Sequence, residues 1–211
     1  MKAAEALVFH LLGMRLRALD FTHQPVHQTF WKSVSVGAWV VHVSVIKHES
    51  DLDLTMDVAV RVDAVENCIN RWNTGLTAAD KRRTVTVGAE LGNIVDGRNR
   101  RWTIAAPSAC TDVAEGMVEE FEKFGVPYLT RMSNLEAMLD SIASIDRSSW
   151  LHSPIHGVRG KKAVALALVL GKRDLALELV ERFTAVLEAQ RDFGLESFTT
   201  FASRAIADGC N

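Results

Sequence analysis

The spacing of hydrophobic and polar positions changes along the chain, and each change predicts a different element. Residues 3–19 repeat apolar side chains at helical intervals, which predicts an amphipathic first helix. From about residue 26 to 62 the period becomes two, which is typical of strands. The pattern predicts a meander of three strands at 26–34, 39–46 and 51–62, with turns near 35–37 and 48–50.

The third of these strands shows the cleanest alternation. Its apolar series is Leu52, Leu54, Met56, Val58, Val60 and Val62, and its other series is Asp51, Asp53, Thr55, Asp57, Ala59 and Arg61. One face is therefore expected in the core and the other in water, which is typical of an antiparallel sheet covered on one side only.

Shorter signals follow the meander. Asp63 with Glu66 three residues later predicts a capping box that opens a helix over 64–72. The runs 83–87 and 101–105 are rich in strand-forming residues. The glycine-containing stretch between them is interpreted as either a long hairpin or an excursion across the sheet edge.

The last half of the chain has a helical pattern. A helix over 109–124 is expected to stop at Gly125–Pro127, because proline cannot continue it, and Ser133 is expected to cap the next short helix. Two further helices, 159–170 and 173–190, are joined by a short loop at Gly171, which predicts an antiparallel helical hairpin. A final helix is predicted over 194–207.

The predicted class is α+β, with an antiparallel sheet of about five strands, helices on one sheet face, and a C-terminal helical hairpin. Residues 145–158 are rich in Ser and His and contain Pro154, so they are interpreted as a linker. The expected organisation is an α+β domain at 1–144, a linker at 145–158, and a helical subdomain at 159–211 packed on the first domain.

Composition narrows the function classes. Of 211 residues, 48% are hydrophobic, and the formal net charge of −2 disfavours a dedicated nucleic-acid binder. Glu5 and His10 interrupt the apolar N-terminal stretch, so neither a signal peptide nor a membrane partner is predicted. The three cysteines are far apart in sequence and odd in number, which predicts unpaired thiols and a cytoplasmic location.

One candidate site lies on the polar face of the predicted sheet. His42 is expected opposite Asp57 or Arg61, and such a face has the groups needed to bind a small anion or to exchange protons. Asp51, Asp53 and Asp57 share that face. Their spacing along a strand is too wide for a loop-type calcium cage, so they are interpreted as solvated carboxylates.

Other candidates are aromatic or basic. Trp102 follows the basic cluster at 98–101, which suggests contact with phosphate or bases, or with an acidic protein. Trp150 lies in the predicted linker, where either the protein's own body or a partner has to cover its ring. His152 and His156 are spaced like helical zinc ligands, but Pro154 separates them. No metal site and no cofactor are therefore predicted.

Two stretches resemble a known family. The helix leading to Asp20-Phe21, followed by Thr29-Phe30-Trp31-Lys32 and the meander, is similar to the start of the bacterial domain of unknown function 4304 family. The segment from Phe121 to Leu129, followed by Ser133-Asn-Leu-Glu136, resembles the closing helix of that family. The resemblance covers about residues 3–143. It implies an α+β fold with no catalytic motif, and it hints at an immunity or interaction role.

The favoured functional hypothesis is a non-enzymatic module that binds another protein, in an immunity or regulatory setting. The alternative is a small-molecule-binding protein or a hydrolase with its site on the His42, Asp57 and Arg61 face. A homo-oligomer is left open. The residues expected to bind are His42, Asp57, Arg61, Trp102 and Trp150.

Overall fold

A computed structural model describes residues 2–210 and has the predicted α+β class. Ten α-helices and six strands follow one another in these residues. The strands are β1 (Thr22–Gln24), β2 (Thr29–Val34), β3 (Gly37–Lys47), β4 (Leu52–Val62), β5 (Val87–Glu90) and β6 (Trp102–Ile104). The helices are α1 (Lys2–Arg17), α2 (Asp63–Arg71), α3 (Ala78–Lys81), α4 (Leu91–Val95), α5 (Cys110–Glu120), α6 (Val126–Met132), α7 (Leu135–Ala143), α8 (His156–Val169), α9 (Arg173–Ala189) and α10 (Leu195–Asp208).

The sheet confirms the predicted meander. Its order is β1-β2-β3-β4-β5, and β6 also pairs with β4. Phe30 of β2 lies opposite Val41 of β3, and both are fully buried. Because β5 and β6 both pair with β4, the stretch between them is an excursion along the sheet edge and not a hairpin.

Residues 2–59 and 89–130 form one of two compact units. In it α1 packs on α5, and Arg15 forms an ion pair with Glu115 between these helices. Phe21 meets Phe121 edge to face, with ring centroids 5.7 Å apart. The apolar stripe of α1 and the inner positions of β2 to β4 supply most of this core.

Residues 60–88 and 131–210 form the second unit. The hairpin of α8 and α9 is confirmed, and α2, α7 and α10 all pack on α8. Gly160 allows the closest approach, because a Cβ there would lie 2.8 Å from the Phe198 ring and 2.9 Å from the Phe183 ring. Gly171, with φ of 72°, makes the tight turn between α8 and α9.

The prediction that one face of β4 is exposed to solvent is wrong in part. Asp53 and Arg61 belong to the series expected in water, yet both are buried, while Asp57 is half-buried. Both buried groups are hydrogen-bonded to neighbouring polar atoms, which offsets the cost of removing their charges from water. Alternation detects which side chains share a face, but it does not show what covers that face.

Three predicted helix boundaries are also wrong. The cap of α7 is Asn134, whose side chain accepts a hydrogen bond from the Ala137 amide at 3.1 Å, and not Ser133. Asp63 is the first residue of α2 and not its cap, and its carboxylate accepts a hydrogen bond from Arg61 Nε. The helix that begins at Cys110 does not stop at Gly125–Pro127, because a π-helical segment, Phe121–Gly125, leads directly into α6. There the Val126 amide bonds the Phe121 carbonyl five residues back, and this wider turn carries the chain past the proline.

The prediction of three unpaired thiols is wrong. Cys68 of α2 and Cys210, which follows α10, form a disulfide with their Cα atoms 4.9 Å apart. Cys110 is a free, buried thiol whose pKa is raised by burial. The tertiary fold joins two cysteines that sequence spacing keeps far apart, so the cysteine pattern no longer argues for a reducing compartment.

The stretch 145–158 contains more structure than a linker. It holds a 3₁₀ helix, Arg147–Leu151, and the start of α8. Four of its polar residues are buried: Ser149, His152, Ser153 and His156. None of the helices formed within residues 2–210 has the length and apolar character needed to cross a membrane.

Candidate binding surfaces

His42 and Asp57 meet as the sequence predicts. Nδ1 of His42 on β3 lies 3.6 Å from a carboxylate oxygen of Asp57 on β4. The hydroxyl of Ser44 lies 3.5 Å from the same nitrogen. Both charged side chains are almost half exposed, so this is a surface pair that contributes little to stability.

Arg61, the third member of the predicted site, is held elsewhere. Its Nε donates to Asp63 at 2.7 Å, and its Nη1 donates to the carbonyl of Lys81 at 3.1 Å and the carbonyl of Thr84 at 2.6 Å. Asn70 donates to the same Lys81 carbonyl and to the Thr84 hydroxyl. The guanidinium of Arg61 is thus a bonded structural group that ties α2 to the chain before β5, and is not free to take an anion.

Asp53 is the centre of a polar cluster beside Trp102. Trp102 lies opposite Leu54 in the β4–β6 register, and the next residue, Thr103, donates to Asp53 at 2.6 Å. That hydrogen bond, together with His48 at 3.1 Å and Arg101 at 3.3 Å, lowers the pKa of the Asp53 carboxyl below its usual value. The carboxylate is therefore ionised and already well supplied with donors.

His48, Asp51 and Asp53 together offer three ligand atoms within 4.8 Å of one another. A cation there would compete with Arg101, whose guanidinium already lies 3.3 Å from Asp53. Two further arginines also have acidic partners: Arg100, of the basic cluster at 98–101, contacts Glu120 at 3.4 Å, and Arg83, before β5, pairs with Asp80. Neither a metal nor nucleic acid is favoured by this arrangement.

Trp150 lies in a different environment, the Trp150 segment, which we define as residues 145–158. Four large apolar side chains of this segment are exposed: Ile145 by 40%, Trp150 by 45%, Ile155 by 55% and Val158 by 41%. The Arg147 guanidinium lies over the Trp150 ring at 5.8 Å, and the His156 ring meets it edge-on at 6.1 Å. The protein's own body therefore covers only about half of this tryptophan.

A buried arginine is bonded to this segment. Arg159 is fully buried, its Nη1 donates to the Ser153 carbonyl at 2.6 Å, and its guanidinium faces the Phe183 ring at 5.7 Å. Among residues 2–210, no hydrogen-bond partner meets its Nε or Nη2. Burial, assisted by the positive charges of Arg131 and Arg159, lowers the pKa of His152 to about 4, so this imidazole is neutral at pH 7.

The second unit also contains a cavity of about 410 Å³ that the sequence analysis missed. Trp72, Lys161, Ser197, Phe201 and Arg204 are among its lining residues. Periodicity marks Trp72 and Phe201 as core residues, and nothing in the local sequence connects them with Lys161. The disulfide gave no sequence signal either, since 142 positions separate its cysteines.

Comparisons with known proteins supply no relative for this chain. No protein-family model matches it, and no curated protein or solved structure matches it. The resemblance to the domain of unknown function 4304 family therefore stays a prediction. Function has to be inferred from the contacts and exposures of the chain's own residues.

Proposed function

We propose that this protein is a non-enzymatic module that binds another protein through the Trp150 segment. The observation that carries the proposal is the exposure of four large apolar side chains within fourteen consecutive residues. Nine large apolar side chains are exposed across residues 2–210, and four of the nine belong to this segment. Clustered apolar exposure marks interaction sites, whereas single exposed residues are ordinary.

The backbone of this segment is anchored, which lowers the entropy cost of binding. The His152 carbonyl accepts a hydrogen bond from the Gly88 amide at 3.2 Å, and the Ser153 carbonyl accepts one from Arg159. Ser149, which directly precedes Trp150, is buried, and its carbonyl accepts a hydrogen bond from the His152 amide at 3.2 Å. A partner would contact side chains on a backbone that is already ordered, so the free-energy cost of ordering a loop on binding is smaller.

Charge indicates the kind of partner. Arg147 is exposed and its guanidinium lies over the Trp150 ring, so a positive charge lies beside the apolar side chains. Asp146, the acidic residue of the segment, is turned to the Ser144 hydroxyl at 2.9 Å. A protein segment with an apolar side chain flanked by carboxylates complements both features. The tryptophan supplies the type of residue that dominates binding energy at interfaces.

The test is selection from a random peptide library displayed on phage, with the immobilised full chain as bait. We expect enriched peptides with an apolar residue between acidic ones. Trp150→Ser should weaken their binding by about tenfold or more, because aromatic anchors carry much of the affinity. Leu177→Ser, which alters an exposed apolar residue on α9, is the matched control and should bind as the unaltered chain does.

Two outcomes would overturn the proposal. One is enrichment of peptides that bind Trp150→Ser as tightly as the unaltered chain. The other is a dimer in sedimentation velocity that Trp150→Ser dissociates, because the segment would then be covered by a second copy of the chain and not by a different protein.

A further inference from the structure

The cavity of the second unit lies beside α2, α8 and α10, and its lining includes no residue of the Trp150 segment. Ile69 comes from α2, Trp72 directly follows α2, Lys161 comes from α8, and α10 supplies Glu196, Ser197, Thr200, Phe201 and Arg204. Its volume of about 410 Å³ is within the range of small-molecule sites. Because α2 and α10 both pack on α8, the cavity is a feature of the fold and not of one loop.

Aromatic rings form one side of this cavity. The Trp72 and Phe201 rings meet edge to face with centroids 6.0 Å apart, and Phe201 is buried while Trp72 is half-buried. Phe193, in the loop before α10, also lines the cavity although 97% of it is exposed. A flat apolar ligand would cover these rings and remove an exposed phenylalanine from water.

Unpaired cations form another side. Lys161 Nζ donates to the Ser197 hydroxyl at 2.6 Å, and burial lowers the pKa of the ammonium. Within the part of the chain that the structure describes, neither Lys161 nor Arg204 has a carboxylate within ion-pair distance. Among residues 2–210, Glu196 is the single acidic residue that lines the cavity, so the described lining carries one more positive than negative charge. A partly buried ammonium without a carboxylate partner favours an anionic ligand.

We propose that this cavity binds a small aromatic anion, with its ring against Trp72 and its carboxylate or phosphate against Lys161 and Arg204. The hydroxyls of Ser197 and Thr200 would supply further donors to the anionic group. This site is independent of the protein-binding proposal, because none of its lining residues belongs to the Trp150 segment.

The disulfide preorganises the site. Cys68 directly precedes Ile69 on the α2 side, and Cys210 follows the α10 side, so the bond joins the two helices that supply most of the lining. Nη1 of Arg71 donates to the Gly209 carbonyl at 3.5 Å in the same place. Because α2 and the end of α10 are already held together, the chain loses less conformational entropy when the ligand binds.

The test uses 2-naphthoate as the probe and 2-naphthalenemethanol as its uncharged analogue, with inorganic phosphate as the anion alone. Isothermal titration calorimetry measures affinity, and the indole N–H resonances in a ¹⁵N spectrum locate the probe. We expect naphthoate to bind at least about tenfold more tightly than the alcohol, which corresponds to about 1.4 kcal/mol. The resonance that shifts most should be the one absent in Trp72→Phe.

Variants separate the two parts of the site. Lys161→Met and Arg204→Met should each weaken naphthoate binding by about tenfold, as expected for the loss of a hydrogen bond to a charged group. Arg204 is exposed, so Arg204→Met tests the cationic side even if Lys161→Met fails to fold. Arg173→Met, at an exposed cation on α9 outside the cavity, is the matched control and should bind normally.

Three outcomes would overturn the inference. Equal affinity for naphthoate and its alcohol would remove the role of the cations. Phosphate that binds as tightly as naphthoate would remove the role of the rings. Naphthoate binding that shifts an indole other than Trp72 would place the site elsewhere. Peptide binding through the Trp150 segment is unaffected by any of these results.

Discussion

Two buried arginines of the second unit, Arg61 and Arg159, have very different surroundings. Arg61 gives four hydrogen bonds, to Asp63, the Lys81 carbonyl, and the carbonyl and hydroxyl of Thr84. Arg159 gives one, to the Ser153 carbonyl, and two of its nitrogens have no partner within residues 2–210. Hydrogen bonds therefore offset the cost of burying the Arg61 charge beside α2, whereas they offset much less of that cost for Arg159, next to the Trp150 segment.

The surroundings of Arg61 form a closed set of bonds. The α2 anchor, which we define as Arg61, Glu66, Cys68, Asn70 and Thr86, is closed by bonds within the chain. The buried Glu66 accepts a hydrogen bond from Thr86, which accepts one from the Val62 amide, and Cys68 is cross-linked to Cys210. The Trp150 segment exposes four large apolar side chains, and Arg159, directly after it, keeps two nitrogens without a partner among residues 2–210.

Loss of the disulfide should have the largest effect on the anchor. The bond closes a loop with a sequence separation of 142, and cross-links that close long loops stabilise the folded state by about 4 kcal/mol. Urea unfolding with and without dithiothreitol measures the difference. Cys68→Ser/Cys210→Ser should match the reduced chain and be insensitive to dithiothreitol, whereas Cys110→Ala should keep the full response. Three titratable thiols in the unfolded, non-reduced chain would contradict the assignment.

Replacement of each arginine by methionine tests whether Arg61 contributes more to stability than Arg159. Arg61→Met leaves the partly buried carbonyls of Lys81 and Thr84 without this donor and should reduce the free energy of unfolding by about 3 kcal/mol. Arg159→Met is the matched variant, and it removes a poorly bonded charge while keeping side-chain volume. It should change stability by less than about 1 kcal/mol, or increase it. Equal losses in urea unfolding would show that Arg159 is as well compensated as Arg61.

Protonation of His152 should have the smallest of the three effects and should be confined to acid pH. The folded-state pKa is lowered from 6.5 to about 4, so between these values the unfolded chain binds more protons than the folded one. Stability contributed by the neutral imidazole is therefore complete above pH 6.5 and is lost as the pH falls to 4. The fully buried limit is about 3 kcal/mol, which solvent screening reduces to about 2 kcal/mol.

Urea unfolding of His152→Gln at pH 7 and pH 4 provides the measurement, because the difference between the two pH values isolates the titrating group from packing. The variant should lose less stability on acidification than the unaltered chain. His10→Gln, at an exposed position on α1, is the control and should retain the full acid sensitivity. The same acid sensitivity in all three chains would remove His152 as the source.

The sequence predicted local structure well where one period dominates over many residues. The alternation over 51–62 located β4 to within a residue, and the helical pattern of α1 and of the α8–α9 hairpin was equally direct. His42 and Asp57 were also placed together correctly, because a short turn fixes the register of adjacent strands.

Features that depend on distant contacts were missed. The partners that bury Arg61 lie twenty or more positions further along the chain, and the pattern of β4 contains no sign of them. The partner of Cys68 lies at the other end of the second unit. The cavity needs three helices to be packed before its lining exists, so no sequence window could reveal it.

The disulfide turns most of the chain into a covalent ring. Every residue from 69 to 209 lies within the loop that Cys68 and Cys210 close. A single proteolytic cut in any turn of that ring leaves one molecule, since its two fragments stay joined through sulfur until a reductant reaches the bond. The exposed turn at Gly171 and the loop around Phe193 are both inside the ring, so nicking there does not by itself release a fragment.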